Sequence, residues 1–287
     1  MIDPLVDRLI DLAFEEDLGA AGDITTRATV PADARAEALV RAKEPLVVAG
    51  VDVLCRVFAR VDPAVAVSVC ERDGAHVAPG TVVARVSGRA HSLLVGERPA
   101  LNFLMRLSGI ATQAARFAAA VAGTRARVVD TRKTTPGWRA LEKAAVRAGG
   151  CANHRVGLFD GVLIKDNHIE AAGGIAAAVA GARAQAHHLL GLEVEAATHA
   201  QVEQCLALGV GAILLDNMDD AALARAVATV RAHEQRTGAR VVLEASGNMT
   251  LERLPAVAAT GVDLISMGAL THQARSVDLS MKLTLAR

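Results

Sequence analysis

The stretch LEVEAATHAQVEQCLALGVGAILLD, Leu192–Asp216, holds one complete unit of the fold. An apolar run, Leu192–Val194, stops at Glu195. A helical stretch follows, and a second apolar run, Ala212–Leu215, stops at Asp216. Two strands joined through a helix run parallel. The same unit recurs outward in both directions. The runs Ala126–Val129, Val162–Ile164, Leu192–Val194, Ala212–Leu215, Val241–Leu243 and Leu264–Ile265 stop at Asp130, Lys165, Glu195, Asp216, Glu244 and Ser266. Polar groups at the C-terminal end of every strand suit a parallel α/β barrel, whose catalytic face is built there. An open doubly wound sheet would concentrate them at one switch point. The barrel is therefore assigned to residues 106–272.

Residues 1–105 have a different rhythm. Leu5–Asp17 reads as an amphipathic helix with Leu5, Leu9, Leu12 and Ala13 on one face. Short β-like runs (Leu39–Arg41, Val65–Val69, Val82–Val86) follow, with turns at Asp73-Gly74 and Pro79-Gly80. This is a small α+β domain. A long helix lined by Leu94, Leu101, Leu104 and Met105, with Pro99 in its first turn, bridges into the barrel. A terminal helix over 273–287 is expected to pack back on the first domain.

Composition bounds the function. The 287 residues are 52% hydrophobic and 22% charged, enough for a sizeable core. Lys+Arg and Asp+Glu are both 31, so there is no basic excess for coating nucleic acid. Only 2% are aromatic, too few for stacking single strands. The start is charged too early for a secretory segment, and the uncharged run Ala171–Ala182 is too short to span a bilayer. A cytoplasmic protein with no membrane or nucleic-acid partner is expected. Cys55, Cys70, Cys151 and Cys205 lie far apart, without zinc or thioredoxin-type spacing.

Charge is uneven within the neutral total. Between Arg125 and Lys165 lie nine Lys/Arg and three acids, Asp130, Glu142 and Asp160. Arg139, Lys143 and Arg147 read as a solvated helix face. Arg132 and Lys133 do not, because they follow a buried strand in a Thr/Pro/Gly loop. Arg supplies a planar fork and Lys a point charge for carboxylate or phosphate, so an anionic small molecule is the economical ligand.

Here the residues resemble a known family. Asp130-Thr-Arg-Lys-Thr-Thr-Pro-Gly137, Asn153-His-Arg155 and Leu163-Ile-Lys-Asp-Asn-His168 are similar to signature blocks of the quinolinate phosphoribosyltransferases. Gly96-Glu-Arg-Pro-Ala-Leu-Asn102, Leu107-Ser-Gly-Ile-Ala-Thr112, Glu244-Ala-Ser-Gly-Asn248 and Gly268-Ala-Leu-Thr-His272 match as well. The resemblance implies an N-terminal α/β sandwich domain, an incomplete parallel α/β barrel and a homodimer with active sites at the subunit interface. It implies that Arg132, His154, Arg155 and Lys165 hold the two carboxylates of quinolinate, with Arg98 reaching in from the neighbouring subunit. Lys133 would lie near phosphoribosyl pyrophosphate. Glu195 and Asp216 would lie at the ribose and at Mg²⁺-pyrophosphate. Ser246, Gly247 and Gly268, with His272, would take the 5′-phosphate. The catalytic set is then Lys133, Glu195 and Asp216, with Mg²⁺ as cofactor.

These roles make physical sense. A pyridine dicarboxylate needs several fixed cations, and Mg²⁺ favours one or two carboxylates plus substrate oxygens. Glu193 competes with Glu195, since alternation puts both on one side of their strand. Which of Glu193, Glu195 and Asp216 touches metal stays open, as does whether Asn167 and His168 cap a helix or touch ligand. Trp138 and Cys151 depart from the family pattern. Cys151 reads either as a small buried hydrophobe or as a source of thiol sensitivity. A related acceptor such as nicotinate, or a pocket that binds without turnover, are the competing functions.

Overall fold

The structure is a computed structural model that describes residues 4–285. They form two compact units, one of 4–115, 134–150 and 269–285, the other of 116–133 and 151–268. The division differs from the expected boundary at 105–106. The helix Ala90–Ala120 runs uninterrupted through that point, with Pro99 well inside it and not in its first turn.

The first unit is built on a four-stranded antiparallel sheet. Its central strand Arg35–Ala42 alternates exposed residues with Ala36, Ala38, Val40 and Ala42, all buried. Val82–Arg89 pairs on one side of it and Leu279–Leu285 on the other, while Ala66–Val69 pairs with the far edge of Val82–Arg89. The segment 273–287 is therefore not a helix where it is described. Leu279, Met281, Leu283 and Leu285 alternate with polar residues, and a period of two suits a strand added to an open sheet edge.

Helix Val51–Val61 turns Val53, Leu54, Val57 and Phe58 into the core. Gly96 of the long helix lies against the Phe58 ring, where a Cβ would come within 2.7 Å. Helix Pro4–Leu18 buries Val6 and Ile10, whereas Leu5 and Leu12 are exposed. The face expected from Leu5, Leu9 and Leu12 is thus rotated. The core accepts the β-branched Val6/Ile10 stripe, four residues apart, in place of the leucines.

The second unit holds six parallel strands: Arg127–Val129, Val162–Ile164, Leu192–Ala196, Ala212–Asp216, Val242–Ser246 and Leu264–Ser266. From the second strand to the sixth, each pairs with its successor, and the sixth pairs with the first. Only the first and second strands do not pair, so the barrel is incomplete at one seam. Val194, Ile213, Leu215, Leu243, Ala245 and Ile265 are fully buried on the helix-covered outer face. A slip of one residue would drive Glu193, Glu195 and Glu244 under the helices, so burial sets the register. Two strands run further than their apolar runs suggest, through Glu195 to Ala196 and through Glu244 to Ser246. Polarity on the inner face alone does not end a strand. Among the described residues no helix is long and apolar enough to cross a membrane.

Candidate active site

Register decides what faces the barrel interior. Glu195 and Glu244 both pair with Leu214, Glu193 pairs with Ala212, and Asp216 pairs with Ser246. Paired residues share a sheet face, so four acids and Ser246 line one inner surface. Glu195, Asp216 and Ser246 form its rim at the C-terminal ends. Glu193 and Glu244, each two residues earlier, form a layer beneath.

At the rim, Lys165 Nζ lies 3.9 Å from Glu195 Oε2. Burial, and next the charge of Asp216, raise the pKa of Glu195, while Lys165 pulls it down. Glu195 and Asp216 therefore sense each other as like charges. Two hard oxygen donors so placed fit Mg²⁺, as the resemblance implies. His168 Nδ1 accepts the Lys165 N–H at 2.9 Å, so this side chain caps the helix Asp166–Ala172.

In the lower layer, His154 Nε2 lies 3.3 Å from Glu193 Oε2 and 3.4 Å from Glu244 Oε2. Glu244 is 1% exposed, and neither of its oxygens accepts a hydrogen bond among the described residues. Glu193 and then Glu244 push the imidazole pKa up to about 10, and burial raises that of Glu193. Nδ1 accepts the Arg155 N–H at 2.8 Å. A second ring proton therefore requires release of that backbone bond. The three ligand atoms lie within 4.8 Å of one another, a spacing that suits a metal. A metal there would have to displace the proton that Nε2 shares with the two carboxylates.

The loop that presents His154 and Arg155 hangs from a buried carboxylate. Asp130 is 0% exposed and accepts from Asn153 Nδ2 at 2.5 Å and from the His154 N–H at 2.8 Å. Arg155 Nη1 donates to the Gly161 carbonyl at 2.8 Å. Burial, and next the charge of Arg132, lower the Arg155 pKa, so these two guanidinium groups lie close enough to repel. Arg132 and Lys133 are exposed. Cys151, buried beside this loop, has its thiol pushed up to about 12 by burial. It is an inert apolar filler, not a reactive thiol.

Ser246 ends the fifth strand, Gly247 follows it, and Gly268 follows the sixth. Gly247 has φ 85°, and a Cβ there would collide with Asn217 Oδ1. Among the described residues, Asn217 (φ 54°) and Asn248 (φ 50°) are the positive-φ residues other than glycine. Asn248 Nδ2 donates to Asn217 Oδ1 at 3.0 Å, and Asn217 Nδ2 donates to Asp216 Oδ2 at 2.6 Å. Left-handed backbone thus recurs at the ends of two adjacent strands, the fourth and the fifth.

Arg98, exposed on the long helix, and His272, exposed at the end of Ala269–His272, belong to the first unit. Sequence reasoning passed over Glu244, Asn217 and the anchoring role of Asp130. The Asx left-handed turn after a strand was the available signal for Asn217. Lys143, read as solvated, is 2% exposed. The helix Arg139–Ala148 turns Lys143 inward together with Glu142, so the polar face is not the wet face.

Comparison with known proteins agrees with this geometry. The model for the quinolinate phosphoribosyl transferase C-terminal domain matches residues 110–282, and that for the N-terminal domain matches 23–108. The chain belongs to the quinolinate phosphoribosyltransferase family. As a family member it is an enzyme of the phosphoribosyltransferase class. A probable nicotinate-nucleotide pyrophosphorylase (carboxylating) of Bacillus subtilis (strain 168) is 42% identical over 279 residues, covering 97% of this chain and 93% of the relative. A chloroplastic nicotinate-nucleotide pyrophosphorylase (carboxylating) of Arabidopsis thaliana is also 42% identical, over 96% of this chain and 82% of its own length. The crystal structure of NadC from Streptococcus pyogenes superposes with a TM-score of 0.93 at 38% identity, covering 100% and 99% of the two chains. The two family models meet within Ala90–Ala120, close to the expected boundary, although the compact units divide the chain differently.

Proposed function

We propose that this family member transfers phosphoribosyl from phosphoribosyl pyrophosphate to the ring nitrogen of quinolinate, with loss of CO₂. The products are nicotinate mononucleotide and pyrophosphate, a step in making NAD. One observation carries the reading. Two like-charged pairs, Arg132 with Arg155 and Glu195 with Asp216, occur in the same barrel unit. Each pair is unfavourable alone. Together they suit a dianionic ring beside a cation-bearing donor.

In this reading Arg132, His154, Arg155 and Lys165 hold the two carboxylates, and Arg98 of a second copy completes the set in a homodimer. Lys133 contacts the donor. Ser246, Gly247, Gly268 and His272 take the 5′-phosphate through backbone N–H groups and side chains. Glu195 and Asp216 would hold Mg²⁺, which neutralises charge on the pyrophosphate when bound. Glu195 also faces the ribose carbon, whose positive charge grows as pyrophosphate departs, and stabilises it electrostatically. After the nitrogen bonds to that carbon, the C2 carboxylate leaves as CO₂, its electron pair stays on C2 beside the cationic nitrogen, and a proton from solvent takes its place. The protein's contribution is positioning and charge placement. A cytoplasmic location accords with the sequence.

The test mixes the protein with quinolinate, phosphoribosyl pyrophosphate and Mg²⁺. Equimolar pyrophosphate, CO₂ and nicotinate mononucleotide are expected, with loss of turnover on chelation. Absence of pyrophosphate release refutes the reading.

A further inference from the structure

Two stretches assigned to substrate binding run directly into a cluster around one buried carboxylate that the proposed chemistry does not use. Thr134 and Thr135 follow Lys133, and Ala269 follows Gly268. Glu142, 0% exposed on helix Arg139–Ala148, accepts from Thr135 Oγ1 at 2.8 Å and from the Thr135 N–H at 3.2 Å. Its Oε1 also lies 3.1 Å from Arg106 Nη2 on the long helix. Arg106 in turn donates to the Thr271 carbonyl at 2.8 Å and to the Ala274 carbonyl. Arg139 Nε donates to Thr134 Oγ1 at 3.0 Å. Trp138, which closes the same loop, stacks on Phe103 of the long helix with centroids 4.7 Å apart and planes at 18°.

A buried carboxylate is costly unless paired and bonded. This one is satisfied only while Thr135 and Arg106 stay in place. Arg106 divides its donors between the carboxylate and the carbonyls around His272. One ion pair therefore registers the segment after Lys133 against the segment after Gly268. Packing alone would have been met by an apolar pair at lower desolvation cost.

We propose that Glu142 and Arg106 are positioning residues for the phosphoribosyl donor, acting through Thr135 on the Lys133 loop and through the Thr271 and Ala274 carbonyls on the His272 segment. The proposal rests on the donor roles given above to Lys133, Gly268 and His272. It makes the donor KM, more than the acceptor KM or the stability, the quantity that this pair sets.

The test uses the full-length protein. Thr135→Val keeps the shape and the ion pair but removes the hydroxyl bond to Glu142. Loss of one bond of this kind corresponds to a ~3- to 10-fold rise in donor KM, with the quinolinate KM within ~2-fold of wild type. Thr135→Ser restores the hydroxyl and should restore the donor KM. Glu142→Gln, which leaves one oxygen for three donors, should raise the donor KM further. Its folded state is checked by circular dichroism, and Thr135→Val carries the test if Glu142→Gln fails to fold. An active wild type whose Thr135→Val variant keeps its donor KM, or loses affinity for both substrates equally, overturns the proposal. A wild type that releases no pyrophosphate overturns instead the reading beneath it, and this proposal with it.

Discussion

Replacing Asp130 by Asn probes how the loop that carries His154 and Arg155 is held. Asp130 is fully buried, and its oxygens accept from Asn153 Nδ2 and from the His154 N–H. Asparagine offers one oxygen and one NH₂. Whichever way it turns, one of the two donors faces another donor. Losing a hydrogen bond to a charged acceptor costs ~1.5–3 kcal/mol, and the buried donor left behind costs ~1–3 kcal/mol more. Burying a neutral amide in place of a carboxylate returns part of this, so the net cost is about 2–4 kcal/mol. Against a typical total of ~5–15 kcal/mol, the protein stays folded. Urea unfolding followed by circular dichroism should show a midpoint lowered by ~1 M or more. The single tryptophan, Trp138, lies in the first unit, so its fluorescence should move less. Hydrogen exchange at the His154 amide should accelerate by ~10-fold or more, and the quinolinate KM should rise while the donor KM holds. A stability change below ~0.5 kcal/mol with a still-protected His154 amide would refute this anchoring.

Three further outcomes follow from the same geometry. Gly247→Ala places a Cβ against Asn217 Oδ1 at a left-handed backbone position; the donor KM should rise ~10-fold or more with the fold retained, and an unchanged donor KM in steady-state assays would remove Gly247 from the phosphate loop. Glu44 accepts from Arg275 and from the Asp278 N–H, and these hold its pKa down to about 2. The folded value lies below the unfolded one, so its stabilisation is present above pH ~4.5 and lost as pH falls toward 2; acid unfolding of Glu44→Gln should therefore show a flatter limb than wild type between those values, and identical limbs would count against the pairing. Gly109→Ala drives a methyl into the Arg275 carbonyl, and calorimetry should register ~1–3 kcal/mol of destabilisation.

Much of this was readable in advance, for identifiable reasons. Apolar runs ending in polar residues reveal barrel strands because the outer face must be buried and the rim must not. Cations crowded between Arg125 and Lys165 suggest an anionic ligand in the sequence, and the structure brings Arg132 close enough to Arg155 to lower its pKa. The pairing of Glu193 and Glu244 with His154 was hidden, since it depends on two strands and a loop meeting in space. Arg139, Lys143 and Arg147 looked like a wet helix face because local spacing cannot tell a buried cation such as Lys143 from a solvated one. The strand Leu279–Leu285 is made of good helix formers, and it becomes a strand because Arg35–Ala42 offers it an edge.

The most direct test of the site is calorimetric titration of the wild-type protein with quinolinate and, separately, with nicotinate, which lacks one carboxylate. A cation array built for a dianion should bind quinolinate at least ~10-fold more tightly, the value of one charge-assisted contact. Equal affinity for both rings would contradict the assignment of Arg132, His154, Arg155 and Lys165.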